Sequence, residues 1–488
     1  MTPPPSILAA IEDDASRSVG ERFVALAAEY FADTRARDAR VSTAQTPSAL
    51  ASRFDEPIPS APREVDDIVR RIRDEIIPDC NHLFHPRYVG HQMAGPLPAA
   101  VWSEVITSAL NQSVAVWEMS PVFTVLEHRV IGWMNQLAGF PAGAGGTMTS
   151  GGTEATFTAL LAARGAAIPD AWTNGVGANP PVMLCGEHAH YGVTRAAAQL
   201  GLGVRNVLPI GSRNFRMDTD ALAAALEQLT GAGRRIMAVV ATAGSTPTGS
   251  FDDLETIADL CDRYAVWLHV DAAHGGSALL SPAHRGRLRG IQRARSMAWD
   301  PHKMMLLPSQ AGMLLMRDER DLDSAFSQRA PYLFQGDHSE RVWDQGTRSF
   351  MCSRRAEVFK LWVALQRYGT DALAEMHDYF CDLTRDFHAC VDSHPEFEAL
   401  HEPGSNILCF RYVGTTPRSD EQLDALNREL RERYNASGEG WITATNLAGR
   451  RVLRVTIMNP RTTAADLRDV LDGLATIGRR LAHDARSD

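Results

Sequence analysis

The chain has 488 residues, 44% of them apolar and 22% charged, with a formal net charge of −10. Lys and Arg are scattered rather than striped, which argues against a nucleic-acid partner, and no apolar run approaches the roughly 18 residues of a membrane span. Seven cysteines without a C-x-x-C pair, and a start (Met1-Thr2-Pro3-Pro4-Pro5) with no basic region before an apolar stretch, lead us to expect reduced thiols, no signal peptide and a soluble, cytoplasmic protein.

In chain order, Phe23, Leu26, Ala27, Tyr30 and Phe31 recur at helical spacing and predict an amphipathic helix. Residues 44–62, rich in Pro, Ser and Ala, read as an extended connector. From about residue 97, apolar strands at 182–184, 236–243 and 266–270 alternate with helical stretches. One of these, 252–264, places Leu254, Ile257, Ala258 and Cys261 on a single face. Strand–helix–strand order predicts an α/β protein with a mostly parallel central sheet covered by helices. After Gly369, strands at 407–413 and 452–458 flank a helix marked by Leu423, Leu426, Leu430 and Tyr434, and residues 464–481 give another helix. The expected division is a helical segment over 1–96, a large α/β domain over 97–369 and a small C-terminal α/β domain over 370–488.

Four segments carry chemistry. Gly143-Ala144-Gly145-Gly146-Thr147-Met148-Thr149-Ser150-Gly151-Gly152-Thr153-Glu154-Ala155 runs into an Ala/Leu-rich helical stretch. Glycines let the backbone approach an anion, and the free N–H groups of a helix start bind phosphate. Ser150 and Thr153 can add hydroxyl donors. The segment also reads as a plain turn and N-cap, being neither a Walker loop nor a G-x-G-x-x-G fingerprint. Cys185-Gly186-Glu187-His188-Ala189-His190-Tyr191 follows a strand, where an aromatic ring could stack on a flat cofactor. His188 and His190 would share a face of an extended chain and invite a metal reading, but no H-E-x-x-H pattern accompanies them and no metal is expected.

Asp271 ends the strand at 266–270. A buried carboxylate must be paired, either in a structural ion pair or against a protonated pyridine nitrogen. Lys303, in Asp300-Pro301-His302-Lys303-Met304-Met305, stands between a histidine and two apolar residues. Desolvation favours a neutral, nucleophilic amine, so it is a candidate imine former, although a lysine taken alone is more often a surface residue.

Thr149-Ser150-Gly151-Gly152-Thr153-Glu154-Ala155, His188-Ala189-His190-Tyr191, Asp271-Ala272-Ala273-His274 and Asp300-Pro301-His302-Lys303-Met304-Met305 together resemble the group II pyridoxal-phosphate-dependent amino-acid decarboxylases. That family includes the glutamate, cysteine sulfinate and aromatic amino-acid decarboxylases. His85-Pro86-Arg87-Tyr88, Glu118-Met119-Ser120-Pro121-Val122-Phe123 and Pro331-Tyr332-Leu333-Phe334-Gln335 resemble its glutamate and cysteine sulfinate branch. So do Cys352-Ser353-Arg354-Arg355 and Leu453-Arg454-Val455-Thr456-Ile457-Met458-Asn459-Pro460. The likeness runs from about residue 65 to 480.

The resemblance implies the pyridoxal-phosphate-dependent transferase fold (aspartate aminotransferase-like, fold type I) and pyridoxal 5'-phosphate as cofactor. It implies decarboxylation of a small L-amino acid to its amine and carbon dioxide. Lys303 would form the imine with the cofactor aldehyde, Asp271 would pair with the ring nitrogen and His190 would stack on the ring. Ser150, Gly152, Thr153 and His302 would hold the phosphate, with Asp300, Thr246 and Ala273 close by. Arg454 would bind the substrate α-carboxylate, and Tyr332, on a loop, would protonate the substrate Cα. It also implies a homodimer with shared active sites.

The substrate pocket is expected around His91, Ala94, Ala115 and Trp117. There the chain departs from the glutamate and cysteine sulfinate pattern, so the amino acid is not carried over. Asp300 likewise replaces an asparagine. Transamination, elimination or oxidative deamination on the same cofactor stay open, as do a silent binding protein and a metal hydrolase on His188 and His190.

Overall fold

The computed structural model describes residues 5–326, 328, 330 and 343–484. The chain opens with α1 (Pro5–Asp14), α2 (Arg17–Asp33), α3 (Pro47–Arg53) and α4 (Val65–Arg71). α3 lies inside the stretch expected to be extended. Thr46 explains it: its side chain accepts the Ala49 N–H, and Pro47 occupies the first turn, where a missing N–H costs nothing.

Next come α5 (Pro98–Leu110), α6 (Pro121–Ala138), β1 (Gly145–Thr149), α7 (Gly152–Ala167), α8 (Ala171–Asn174) and β2 (Val182–Gly186). They are followed by α9 (Gly192–Gln199), β3 (Val207–Ile210), β4 (Ser212–Arg213), β5 (Arg216–Met217), α10 (Thr219–Gly231) and β6 (Ile236–Thr242). α11 (Leu254–Tyr264), β7 (Trp267–Asp271), β8 (Ser296–Trp299) and β9 (Gly312–Met316) complete this part. Asp218 and Asp253 cap α10 and α11 with their side chains, accepting first-turn N–H groups.

The central sheet has seven strands in the order β1-β9-β8-β7-β6-β2-β3. Pairs from β8 through β3 are parallel; β9 runs antiparallel to both β8 and β1. Helices cover both faces, so the strands are apolar in both directions. On one face Val239, Ala241, Leu268 and Val270 pack with residues of α6, α10, α11 and α12, the last described below. On the other, Ala238, Val240 and Trp267 meet α7 and α9. Leu254, Ile257, Ala258 and Cys261 are all buried, as their spacing requires.

The long α12 (Val358–Ser393) follows and kinks at Gly369, whose φ of 71° suits glycine. Then β10 (Phe397–Ala399), β11 (Ile407–Tyr412), α13 (Asp420–Ser437), β12 (Thr443–Leu447), β13 (Arg450–Thr456) and α14 (Ala464–Asp484) form a second unit. Its four-stranded antiparallel sheet, β10-β11-β13-β12, packs Phe410, Leu453 and Val455 against α12, α13 and α14. Among the described residues no helix is long and apolar enough to cross a membrane.

Burial sets an acid limit. His269 of β7 is enclosed between Ser296 and Thr156, and burial pushes its imidazole down to about 4; His274 is pushed down to about 3, first by burial and then by nearby Lys303. Below the ordinary value of 6.5, the unfolded chain takes up protons that these folded imidazoles refuse, so stability falls as pH drops from 6.5 toward 4. Each should remove about 2 kcal/mol near pH 5. Urea midpoints across this range should fall with pH, and His269→Asn should flatten the fall. An unchanged slope would contradict the assignment.

Candidate active site

The carboxyl ends of β1, β2, β6, β7 and β8 surround a cavity of about 520 Å³. This is where an α/β sheet places its ligands, because loops diverge there and helix N-termini point inward. Ser150, Gly152, Thr153, His190, Thr246, Asp271, Ala273, Asp300, His302 and Lys303 all line this one cavity. Residues more than 150 positions apart converge because each sits just beyond a strand end.

The glycine segment is a strand followed by a helix rather than a plain turn. β1 is held by a buried pair: both Nη atoms of Arg354 donate to Glu127 carboxylate oxygens at 2.9 Å, and Glu127 Oε1 accepts the Met148 N–H at 3.0 Å. α7 then starts at Gly152. A Cβ there would lie 2.7 Å from the Ala273 Cβ and 3.1 Å from Asp300 Oδ2, so only glycine lets α7 approach the ends of β7 and β8 so closely. Its first-turn N–H groups have no intrahelical acceptor and face the cavity end of the sheet. Gly244, with φ +84°, brings the Thr246 loop against Gly275 in the same manner.

Lys303 differs from its reading in sequence. Met304 and Met305 pack into separate buried clusters, while Nζ lies 3.3 Å from Asp300 Oδ2. The amine is therefore paired, not surrounded by apolar atoms. Asp300 is itself buried, with Oδ1 lacking a hydrogen-bond partner and Oδ2 3.7 Å from His302 Nε2. His302 Nδ1 contacts the Ala311 carbonyl at 2.6 Å, which fixes the ring. Burial lowers the His302 pKa against the pull of Asp300.

Asp271 Oδ1 accepts the Ala273 N–H at 3.2 Å, and the carboxylate faces the cavity. His190 is held by the Gly192 N–H donating to Nδ1 at 3.1 Å. Burial lowers its pKa although Asp271 opposes this, leaving an uncharged ring in the cavity. His188 does not join it: its Nε2 lies 3.1 Å from Ser212 Oγ, in the β4–β5 hairpin. The pair therefore does not converge on one ion, because the chain turns out of extended conformation after Gly186.

The expected substrate residues scatter. His91 is outside the cavity lining, and its neighbours Gln92 and Met93 line it instead; burial, then Arg454 and Arg431, lower the His91 pKa. Ala94 packs on Met304, Leu306, Phe380 and Met458. Ala115 is buried, its carbonyl accepting the Gly346 N–H at 2.7 Å, and Trp117 is 43% exposed against Trp343. Neither lines the cavity. Arg454, on β13, donates from Nη1 to the Thr246 carbonyl at 2.8 Å, one residue behind the cavity wall. Tyr332 lies outside the described residues.

Glu154, Tyr191, His274, Ser309 and Gln310 also line the cavity and were not singled out in the sequence. Glu154 accepts the Ser150 N–H at 2.8 Å, a capping contact whose four-residue spacing was visible. His274 meets Asn406 of the second unit at 2.7 Å, a partner no local pattern reveals.

These residues fit pyridoxal phosphate. A primary amine, a carboxylate at a strand end, a flat imidazole ring and a glycine-opened helix start surround one cavity. Gly152→Ala should force α7 away from Ala273 and weaken cofactor binding about tenfold or more, read by cofactor fluorescence on titration. Unaltered affinity would show that the close approach does not serve the cofactor.

A family model described as the pyridoxal-dependent decarboxylase conserved domain matches residues 47–413. L-2,4-diaminobutyrate decarboxylase of Rhizobium meliloti (strain 1021) is 36% identical over 411 residues, 82% of this chain and 80% of that protein. The acidic amino acid decarboxylase GADL1 of Mus musculus is 33% identical over 407 residues, 81% of this chain and 74% of that protein. Among solved structures, mouse CSAD matches with a TM-score of 0.88 at 30% identity, over 97% of this chain and 99% of that chain.

Proposed function

The chain belongs to the pyridoxal-dependent decarboxylase family, and on that footing we propose that its substrate is a small L-amino acid whose α-carboxylate is bound by Arg454. It is an amino-acid carboxy-lyase of the aspartate aminotransferase-like fold type I, working with pyridoxal phosphate. The observation that carries the substrate reading is the state of Arg454. Arg454 is 7% exposed, no carboxylate of the described residues pairs with it, and its Nε has no partner. A buried cation without an anion is costly, and a substrate carboxylate would complete it. The cavity, at about 520 Å³, must take cofactor and substrate together, which favours a small one.

When bound, the cofactor supplies the electron sink for the pair left on Cα as carbon dioxide departs. Lys303 would anchor it and afterwards move a proton at Nζ, with the Asp300 carboxylate 3.3 Å away. Asp271 would pair with the ring nitrogen, and His190, its pKa lowered by burial, would lie against the ring. The first turn of α7 takes the phosphate, with Ser150 and Thr153 adding hydroxyls. Arg454 would bind the substrate carboxylate and set its orientation in the cavity. Tyr332 is assigned the return of a proton to Cα, on the resemblance of its segment.

A homodimer with shared sites accounts for Ala115 and Trp117. Val105, Ile106, Leu110, Val122 and Val125 of α5 and α6 are exposed near them, an apolar surface suited to a second copy. The segment holding Trp117 would then serve the other subunit's cavity.

The test offers cofactor-loaded protein a panel of acidic, basic, aromatic and small amino acids, with products followed by mass spectrometry. One amino acid should yield carbon dioxide and its amine in equal amounts. Keto acid or aldehyde without amine would overturn this reading.

A further inference from the structure

Away from the active-site cavity, and among the described residues, His284, His377 and Cys381 form a buried group. One ligand atom from each, a ring nitrogen of either histidine and the thiol sulfur, lie within 4.8 Å of one another. His284 precedes the turn Arg285–Leu288, while His377 and Cys381 are one helical turn apart on α12. Asp378, on the same helix, places Oδ1 3.3 Å from His377 Nδ1 and 3.6 Å from His284 Nε2. Tetrahedral zinc, with bonds of about 2.0–2.1 Å to nitrogen or oxygen and about 2.3 Å to sulfur, has ligand–ligand edges of about 3.3–3.6 Å. Asp378 Oδ1 lies at about that edge length from both rings, and the two rings and the thiol are gathered within 4.8 Å.

We propose that His284, His377, Asp378 and Cys381 bind a zinc ion that staples the segment before Arg285 to α12. Two imidazoles and a thiolate are a donor set for zinc rather than for magnesium or calcium. The thiol, pushed up to about 12 by burial, loses its proton to solvent as the sulfur–zinc bond forms. Arg287 and Arg385 lie near enough to favour that thiolate, whereas Asp378 and Asp382 of α12 oppose it until the ion is bound. The two charges of the ion are then matched by the thiolate and the Asp378 carboxylate.

The place in the fold gives the ion a structural task. Beyond the site α12 contributes Leu383, Phe387 and Val391 to the core of the second unit, whereas Leu361 and Ala364 belong to the core of the central sheet. A clamp at 377–381 would fix the helix that joins the two sheets. Zinc would thus add stability without touching the reacting atoms.

Untagged, cofactor-loaded protein stripped with a chelator and given zinc should retain one ion per chain by elemental analysis, with a raised thermal midpoint. Cobalt(II) in its place should show thiolate-to-metal charge-transfer absorption. Cys381→Ser and His284→Ala should each weaken zinc binding more than about 100-fold, whereas Cys80→Ser, at an exposed thiol, should not change it. No retained zinc in the unaltered protein, or equal retention by Cys381→Ser, would overturn the proposal. Cys381→Ser differs by one atom, so it keeps the test decisive if His284→Ala folds poorly.

Discussion

Lys303→Ala is expected to lower kcat by at least about 10⁴-fold, the largest effect of any single substitution in the cavity. Two functions leave with the amine: the covalent hold on the cofactor and the proton carried at Nζ. The variant also strands the buried Asp300 carboxylate, whose Oδ2 lies 3.3 Å from that amine, so some stability should be lost too. Lys303→Arg separates the effects. It keeps a cation beside Asp300 but offers no amine able to bond an aldehyde, so it should restore the thermal midpoint and not the turnover. Activity within about tenfold of the parent in either variant would mean that another group does this chemistry.

Arg454→Met should reduce kcat/KM by about 10²–10³-fold, corresponding to about 3–4 kcal/mol for one side of a buried charge pair. Most of the loss should appear in KM, because the guanidinium holds the carboxylate before and during bond cleavage. Arg454→Lys should recover only part of it, since an ammonium cannot make two parallel hydrogen bonds. The Arg454 Nη1 bond to the Thr246 carbonyl gives this residue a structural duty as well. Cofactor absorbance and affinity therefore need to be followed alongside. If cofactor binding falls in step with kcat/KM, Arg454 positions the Thr246 loop and does not bind substrate.

The residues that converge on the cavity were legible in the sequence because each lies within a few positions of a strand end. Asp271 after 267–270 and His190 after β2 are local arrangements, and the strand periodicity that locates them is local too. The helix at 252–264 was readable for the same reason: its buried face is written at i, i+3, i+4 and i+7. Contacts between distant segments were not. Arg354 belonged to a recognised motif without a task until Glu127 appeared opposite it on α6. Asn459 likewise donates to the His85 carbonyl at 2.9 Å, joining two motifs that the sequence shows only separately.

The substrate positions are less legible because loops carry no periodicity. Between residues 90 and 95 a shift of one position decides which side chain meets the cavity, and the structure turns Gln92 and Met93 inward, not His91 or Ala94. The setting of Lys303 was misjudged for a related reason. Neighbours in sequence, Met304 and Met305, leave in other directions, and the nearest charged group comes from Asp300, three residues back. α3 was missed because composition outweighed its cap; Thr46 followed by Pro47 was a legible helix start.

Peptide mapping after borohydride treatment of the cofactor-loaded protein tests the site most directly, since it reads which lysine carries the cofactor without depending on turnover. The pyridoxyl phosphate mass should be found on the peptide containing Asp300-Pro301-His302-Lys303, at Lys303 and in one copy per chain. That mass on Lys360, or on no lysine at all, would contradict the site described above.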